Sequence, residues 1–193
     1  MSASKQKTKT EILDTVIPLF ARAGYTGVSM RQIARAVGVQ AASLYHHFPD
    51  KETLYIQALA QTFSRHNVLL RDAFALAADP EQRLRRLVST LCTLVHRDGD
   101  FSRLMQREIM DGDEQRLQLL ADKVFSGFFQ EMITLCRALA PNRDPHLFAV
   151  SILGLVIYHY QVTPIRSFLP GFKASHNDPE TVAKHILSLL QNL

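Results

Sequence analysis

The sequence predicts an all-α fold of nine or ten helices, with a small N-terminal domain and a larger C-terminal one. Apolar residues recur at spacings of three and four, and no sustained alternation of period two appears. Three Asp-Pro pairs, at 79–80, 144–145 and 178–179, each place a good N-cap before a proline at the first helical position. The 193 residues, 47% hydrophobic and 21% charged, suit one or two compact domains and exclude a disordered or collagen-like chain.

A first amphipathic helix is expected near the N-terminus. Its apolar face consists of Ile12, Val16, Ile17, Phe20 and Ala23. Gly24 stands where a C-terminal cap is expected, so the helix should end there. Pro18 lies inside the pattern and removes one backbone donor, which should bend or weaken the helix without abolishing it.

Two short helices follow, separated by a minimal turn. Ser29 and Gln32 form a capping-box pattern that opens the first of them, and Gly38 closes it. The second fits within residues 40–48, because a proline comes directly after it. Asp50 is then expected to cap a longer helix that leads into the larger domain.

The larger domain is expected to be helical throughout. Its predicted helices lie at 80–97, 101–110, 114–140 and 145–160, with a last one after 178. The helix at 145–160 is apolar nearly all round, so it must be buried on more than one side. Residues 161–177 contain two prolines and a glycine and form the longest predicted loop.

The basic charge lies almost entirely in the first domain. Residues 1–51 contain seven Lys and Arg side chains against three Asp and Glu side chains, an excess equal to the formal net charge of +4. Residues 52–193 are balanced. A basic head on a neutral body is expected of a nucleic-acid-binding protein, and a solvated surface is the alternative explanation.

Residues 29–48 have the spacing of a helix-turn-helix motif. Two short helices joined by so tight a turn can cross at a steep angle only if the side chains at the crossing point are small. Ala34 supplies a small contact, Gly38 the turn glycine and Leu44 a buried leucine. In this geometry the second helix enters the DNA major groove, which is wide enough for an α-helix. Its exposed face would carry Gln40, Ala41, Ser43, Tyr45 and His46.

The run from Gly24 to Tyr55 resembles the DNA-binding domain of the TetR (tetracycline repressor) family of bacterial transcriptional regulators. The matching positions are Gly24, Tyr25, Ile33, Ala34, Gly38, Val39, Leu44, Tyr45, Phe48 and Lys51. Gln40 departs from the pattern, because the family usually has Ser or Thr there and glutamine caps a helix poorly. Either that helix begins one residue later or Gln40 contacts a base edge.

The resemblance implies a DNA-binding domain at 1–52 and an effector-binding and dimerisation domain at 53–193. It assigns phosphate or backbone contacts to Ser29, Arg31, Tyr45, His46 and Lys51, and base contacts to Gln40, Ala41 and Ser43. Lys5, Lys7 and Lys9 would form a minor-groove arm or, alternatively, a solubilising tail.

The larger domain has candidates for a ligand pocket and for a dimer interface. An apolar pocket with a few polar anchors would be lined by Phe63, His66, Phe101, Met105, Glu108, Phe125, Phe129 and Tyr158. A four-helix dimer interface would use Phe148, Ile152, Leu155, Val156, Ile186, Leu189 and Leu190, with Gly154 permitting close approach. Ordinary core packing is the alternative for both sets.

Other classes of protein find little support. The sequence contains no GxSxG, no Gly-rich phosphate loop and no HExxH, so we expect no enzyme, no cofactor and no metal site. No apolar run is long enough to span a membrane, and no secretory signal is evident, so a cytoplasmic location is expected. Cys92 and Cys136 are expected to be buried thiols, with an inter-helix disulfide as the alternative.

The function predicted from these features is that of a homodimeric repressor that a small, largely apolar ligand releases from a near-palindromic operator. An effector-independent regulator, an activator, and a helical scaffold whose basic head serves solubility are the competing hypotheses.

Overall fold

The computed structural model of the chain describes residues 7–75 and 79–191, and within those ranges it is helical, without strands. The described helices are α1 (Lys9–Ala23), α2 (Met30–Val37), α3 (Ala41–His47), α4 (Lys51–Ala75), α5 (Pro80–Arg97), α6 (Gly99–Asp111), α7 (Glu114–Leu120), α8 (Ser126–Leu139), α9 (Pro145–Gln161), α10 (Thr163–Arg166) and α11 (Pro179–Gln191). A π-helical turn spans Ala121–Phe125, and a 3₁₀ turn spans Ala174–Asn177.

The ends of the first helices lie where the sequence predicts them. Helix α1 continues through Pro18, and the Gly24 N–H closes it with a 2.8 Å bond to the Phe20 carbonyl. Ser29 and Gln32 form the predicted capping box of α2. Gly38 ends that helix with φ of +77°, a left-handed conformation that glycine adopts without steric cost.

One cap was not predicted. Thr8 and Glu11 form a capping box that starts α1 at Lys9, so Lys9 belongs to a helix and not to an extended arm. Its ammonium lies 5.4 Å from the centre of the Phe48 ring. Lys5, the first lysine of the predicted arm, lies outside the described residues.

The described residues cluster into two compact units. One holds the chain up to Arg65 together with Gly99–Phe125, and the other holds His66–Asp98 together with the chain from Ser126 onward. Helix α4 belongs partly to each unit. The boundary predicted after residue 52 separates DNA binding from effector binding and dimerisation. It stays a prediction, because the compact units are defined by packing and not by function.

The first unit is built around α1. This helix packs against α2 and α6, and α2 packs against α3. The shared core includes Ile12, Val16, Phe20, Ile33, Leu44, Phe48, Leu54, Tyr55, Leu104 and Leu120. Helices α6 and α7 thus contribute core residues to the same unit as the helix-turn-helix motif.

The second unit consists mainly of α5, α8, α9 and α11, which pack pairwise. Its buried side chains include Leu87, Val88, Met132, Ile152, Val156 and Ile186. Cys92 and Cys136 are free and fully buried, and burial raises the pKa of each thiol to about 11. They are therefore inert thiols and not a disulfide.

Two predicted elements differ from the structure. The helix expected at 114–140 is divided into α7, the π-helical turn and α8, because the turn adds residues that a 3.6-residue pattern does not reveal. The loop expected at 161–177 contains α10 and the 3₁₀ turn. Pro164, in the first turn of α10, supplies a backbone angle that suits a helix start.

Candidate nucleic-acid interface

Helix α3 presents most of its surface to solvent. It buries only Leu44, while Ala41, Ala42 and His46 are exposed and Tyr45 is 50% exposed. Ser43 is half-buried. A seven-residue helix held by one buried leucine and displaying an exposed tyrosine has the character of a recognition surface.

Gln40 stands at the N-cap of α3, is exposed, and forms no capping bond through its side chain. The helix therefore begins at Ala41, as one of the two alternatives for Gln40 requires. The amide remains at the protein surface, and an amide can pair bidentately with adenine.

Ser29 and Arg31 lie at the start of α2 and are exposed. The Ser29 hydroxyl donates to the Gln32 side chain at 2.8 Å and accepts from the Gln32 N–H at 3.3 Å. Capping therefore already engages this hydroxyl in both directions. Arg31 is the more available phosphate ligand of the two.

Lys51 has a role that the sequence did not reveal. Its ammonium donates to the Val28 carbonyl at 3.0 Å and lies 4.2 Å from the centre of the Tyr25 ring. Burial and the neighbouring Arg116 lower the pKa of Lys51. The lysine thus ties the start of α4 to the turn between α1 and α2.

Tyr25 is held by two cations. The Arg116 guanidinium also lies 4.2 Å from the ring centre, while its Nε donates to Glu108 Oε1 at 2.9 Å. Arg116 forms a second ion pair with Asp113 at 3.1 Å. Glu108 is fully buried, and burial together with this carboxylate raises the pKa of Tyr55.

The predicted pocket residues fall into both units. Phe63 contacts Phe101 and Phe125 in the first unit, with ring centres 6.3 and 4.9 Å apart. Met105 packs against the core of the same unit, where Glu108 forms its ion pair with Arg116. The structure therefore brings together three of the eight residues as one aromatic cluster.

The remaining pocket residues lie in the second unit. His66 is 2.9 Å from Asp98, and the Phe129 ring centre is 5.1 Å from that of His146. Tyr158 is 65% exposed, so within a single chain it does not line an enclosed ligand site. This unit has a cavity of about 600 Å³, and none of the eight predicted residues lines it; Leu84, Arg85, Arg143, Phe148 and Leu190 are among those that do.

The structure divides the seven predicted dimer residues: four are buried, Leu189 is exposed, and Phe148 and Leu155 are half-buried. Ile152, Val156, Ile186 and Leu190 are buried within the second unit, so they do not face a second copy. An exposed apolar face lies on the other side of α9; together with the exposed Leu189 of α11 we call it the α9 face. It consists of Leu147, Val150, Ile157, Tyr158 and Leu189. A helix that is apolar all round gives no sequence signal for the side that faces inward.

No described helix is long and apolar enough to cross a membrane. Among the same residues, no three His, Cys, Asp or Glu side chains cluster in a way that suits a metal ion.

Comparisons with known proteins agree with this architecture. Residues 12–58 match the family model of bacterial regulatory proteins of the TetR family. The chain is 28% identical over 131 residues to the HTH-type transcriptional repressor KstR of Mycobacterium tuberculosis, covering 65% of this chain and 60% of that protein. It spans only 53–60% of the length of the KstR repressors it matches.

Solved structures share the fold over nearly the whole chain. The transcriptional regulator FadR of Bacillus subtilis, in complex with stearoyl-CoA, has a TM-score of 0.79 at 16% identity and covers 95% of this chain and 97% of its own. AibR, in complex with isovaleryl coenzyme A and operator DNA, has a TM-score of 0.73 at 24% identity and covers 94% and 96%.

The matched segment contains the whole helix-turn-helix and the start of α4, which are the elements that present the exposed face of α3. This match places residues 12–58, which hold the helix-turn-helix, in the TetR family of bacterial regulatory proteins.

Proposed function

We propose that the protein is a transcriptional repressor that binds a near-palindromic operator as a homodimer and is released by a small, largely apolar ligand. The observation that supports it most is the exposed face of α3, held on a basic head. We propose regulation and not catalysis, because the matched family and the matched relatives are transcriptional regulators, and we propose that the protein acts in the cytoplasm, where bacterial DNA lies.

In this proposal Gln40, Ala41 and Ser43 contact bases. Tyr45, His46 and Arg31 contact the DNA backbone, and Ser29, whose hydroxyl is engaged in the cap of α2, holds the helix start that presents Arg31. Lys51 has three N–H donors, so it can bond to the Val28 carbonyl and still offer a donor to a phosphate. Phosphate contacts position the head, and base contacts provide the sequence preference.

The homodimer would form through the α9 face. Leu147 and Tyr158 are 66% and 65% exposed there, which is costly for a single chain in water. Apart from its chain neighbours and the backbone of α9 itself, no atom lies within 4 Å of the position of a Cβ on Gly154, so a partner backbone can approach closely at this point. A symmetric dimer would bring the recognition helices of its two heads to half-sites about one DNA turn, ~34 Å, apart.

The effector is proposed to be an acyl compound. FadR and AibR, which share this fold, were solved with acyl-coenzyme A molecules, and the chain itself has the aromatic cluster of Phe63, Phe101 and Phe125. Aromatic side chains of this kind are usual in sites for apolar ligands.

A gel shift with DNA from upstream of the protein's own gene tests the proposal. We expect wild type to retard this fragment at low salt, and Gln40→Ala to lose about 1–3 kcal/mol of binding at one base pair only. Gln130→Ala, which changes an exposed glutamine on α8, serves as the matched control. No retardation by wild type would refute DNA binding, and an unchanged sequence preference in Gln40→Ala would refute its base contact.

Stearoyl-CoA is the first probe for the effector. It should release wild type from the fragment, whereas free coenzyme A, which lacks the acyl chain, should not. Equal release by both compounds would contradict an apolar effector.

A further inference from the structure

The segment Gly99–Phe125 connects the two units through the chain itself. By its contacts it belongs to the unit of the helix-turn-helix, yet residues of the other unit precede and follow it directly. Helix α6 of this segment packs against α1. A displacement of Asp98 or Ser126 in the second unit is therefore transmitted through a peptide bond to this segment. The segment in turn contacts α1 of the helix-turn-helix head, which consists of α1, α2 and α3.

Arg107 of α6 binds the end of α1. Its Nε donates to the Ala21 carbonyl at 3.1 Å, and its Nη2 donates to the Arg22 carbonyl at 2.8 Å. The last carbonyls of a helix lack partners within the helix, and positive charge is favourable there. Arg107 thus supplies a cationic C-terminal cap to α1 from a position 85 residues further along the chain.

Glu108, the next residue of α6, helps to hold the other end of the turn between α1 and α2. Its ion pair with Arg116 places the guanidinium against the Tyr25 ring, on which the Lys51 ammonium also lies. Lys51 in turn bonds to the Val28 carbonyl, directly before the N-cap of α2. Two consecutive residues of α6 therefore hold both ends of the turn that joins α1 to α2.

We infer that Arg107 is a positioning residue that couples the helix-turn-helix head to the second unit. Its two bonds make the direction of α1 follow α6, and α6 begins directly after Asp98 of the second unit. This inference rests on the proposed function, since it explains how a change outside the head alters DNA affinity.

Arg103 provides a matched control. It lies one turn earlier on the same helix and has the same charge, but its Nε donates to the Gly99 carbonyl of α6 itself. Its loss removes an α6 arginine without removing a bond to α1. Arg107→Lys keeps the charge and loses the geometry that bonds two carbonyls at once.

The test measures hydrogen exchange in the full chain with and without the upstream DNA fragment that wild type retards. The peptides followed cover 92–98 and 126–135, all in the second unit. In wild type and Arg103→Ala, DNA should change exchange there by about fivefold or more, a typical size of coupling. In Arg107→Ala, DNA should still bind, but the change should fall below about twofold. Arg107→Lys should give an intermediate response.

Each other outcome has a definite meaning. Failure of wild type to retard DNA refutes the proposed function. Retardation without any exchange response in the second unit refutes only the coupling. A lower melting temperature of Arg107→Ala with an undiminished response shows a merely structural role and also overturns the inference. If Arg107→Ala does not fold, an undiminished response in Arg107→Lys overturns it instead.

Discussion

The first unit buries an ion-pair network that links its helices, whereas the second unit exposes one apolar side of α9 to solvent. In the first, Glu108, Arg116 and Tyr55 are buried together, and Arg107 and Lys51 donate to backbone carbonyls of the head. In the second, the α9 face lies exposed while the opposite side of the same helix is buried. The exposed side of α9 supports the proposal that the second unit pairs with another copy.

The strongest test of the first unit removes its buried carboxylate. Glu108→Ala leaves the Arg116 guanidinium, itself almost buried, without its main partner. Removal of one partner of a buried ion pair typically costs about 3–5 kcal/mol of unfolding free energy. Urea denaturation measures this loss of unfolding free energy, and the urea midpoint of Glu108→Ala should lie well below that of wild type.

The control for this change is an exposed ion pair in the same unit. Asp14 pairs with Arg65, and both side chains are 47% exposed. Asp14→Ala should cost only about 0–1 kcal/mol. Similar costs for Asp14→Ala and Glu108→Ala would mean that the buried network does not stabilise the first unit as described.

A charged substitution tests whether the α9 face forms the dimer interface. Leu147→Asp places a carboxylate in the proposed interface of both subunits, and the dimer should weaken by about 100-fold, or about 3 kcal/mol. Analytical ultracentrifugation should then find the mass of one 21.8 kDa chain at concentrations where wild type is a dimer.

Ile152→Val is the matched change on the buried side of α9. It should lower the unfolding free energy by about 0.5–1.5 kcal/mol and leave the dimer intact. If Ile152→Val dissociates the dimer and Leu147→Asp does not, the interface lies on the side first predicted from the sequence.

The same contrast explains what could be predicted from the sequence. The ends of α1, α2, α5 and α9 depend on local residues such as Ser29 and Gly38, so the all-α fold and the helix-turn-helix were predictable. The roles of Arg107 and Glu108 depend on partners far along the chain, for which no local pattern exists. The orientation of α9 was unpredictable for a different reason, because its apolar residues surround the whole helix.

A smaller effect is expected at the start of α4. The Thr53 N–H donates to the Asp50 carboxylate at 2.6 Å, and the hydrogen bonds from Thr53 lower the pKa of Asp50. Asp50→Ala should cost about 0.5–2 kcal/mol of unfolding free energy near neutral pH. Because the pKa is lowered in the folded state, this contribution should be lost as the pH falls from the ordinary value of 3.8 through the lowered one.

Urea denaturation of wild type and Asp50→Ala at neutral and at acid pH checks this prediction. Asp50→Asn, which keeps a capping oxygen without a titrating group, should retain most of the stability at both values. A difference between wild type and Asp50→Ala that does not shrink in acid would show that the charge of Asp50 has no part in the cap.

The smallest expected effect concerns His159, at the end of α9. Its Nδ1 lies 3.2 Å from Arg166 Nη2, and because a guanidinium only donates, this nitrogen must accept and the ring must be neutral. Burial, and then the charges of Arg166 and His185, lower the pKa of His159. The unfolded chain therefore takes up a proton before the folded chain does, so the unfolding free energy falls as the pH drops below the ordinary value of 6.5. Urea midpoints at about pH 7.5 and pH 5.5 should differ less in His159→Gln than in wild type, and an equal difference in both would contradict this role of the imidazole.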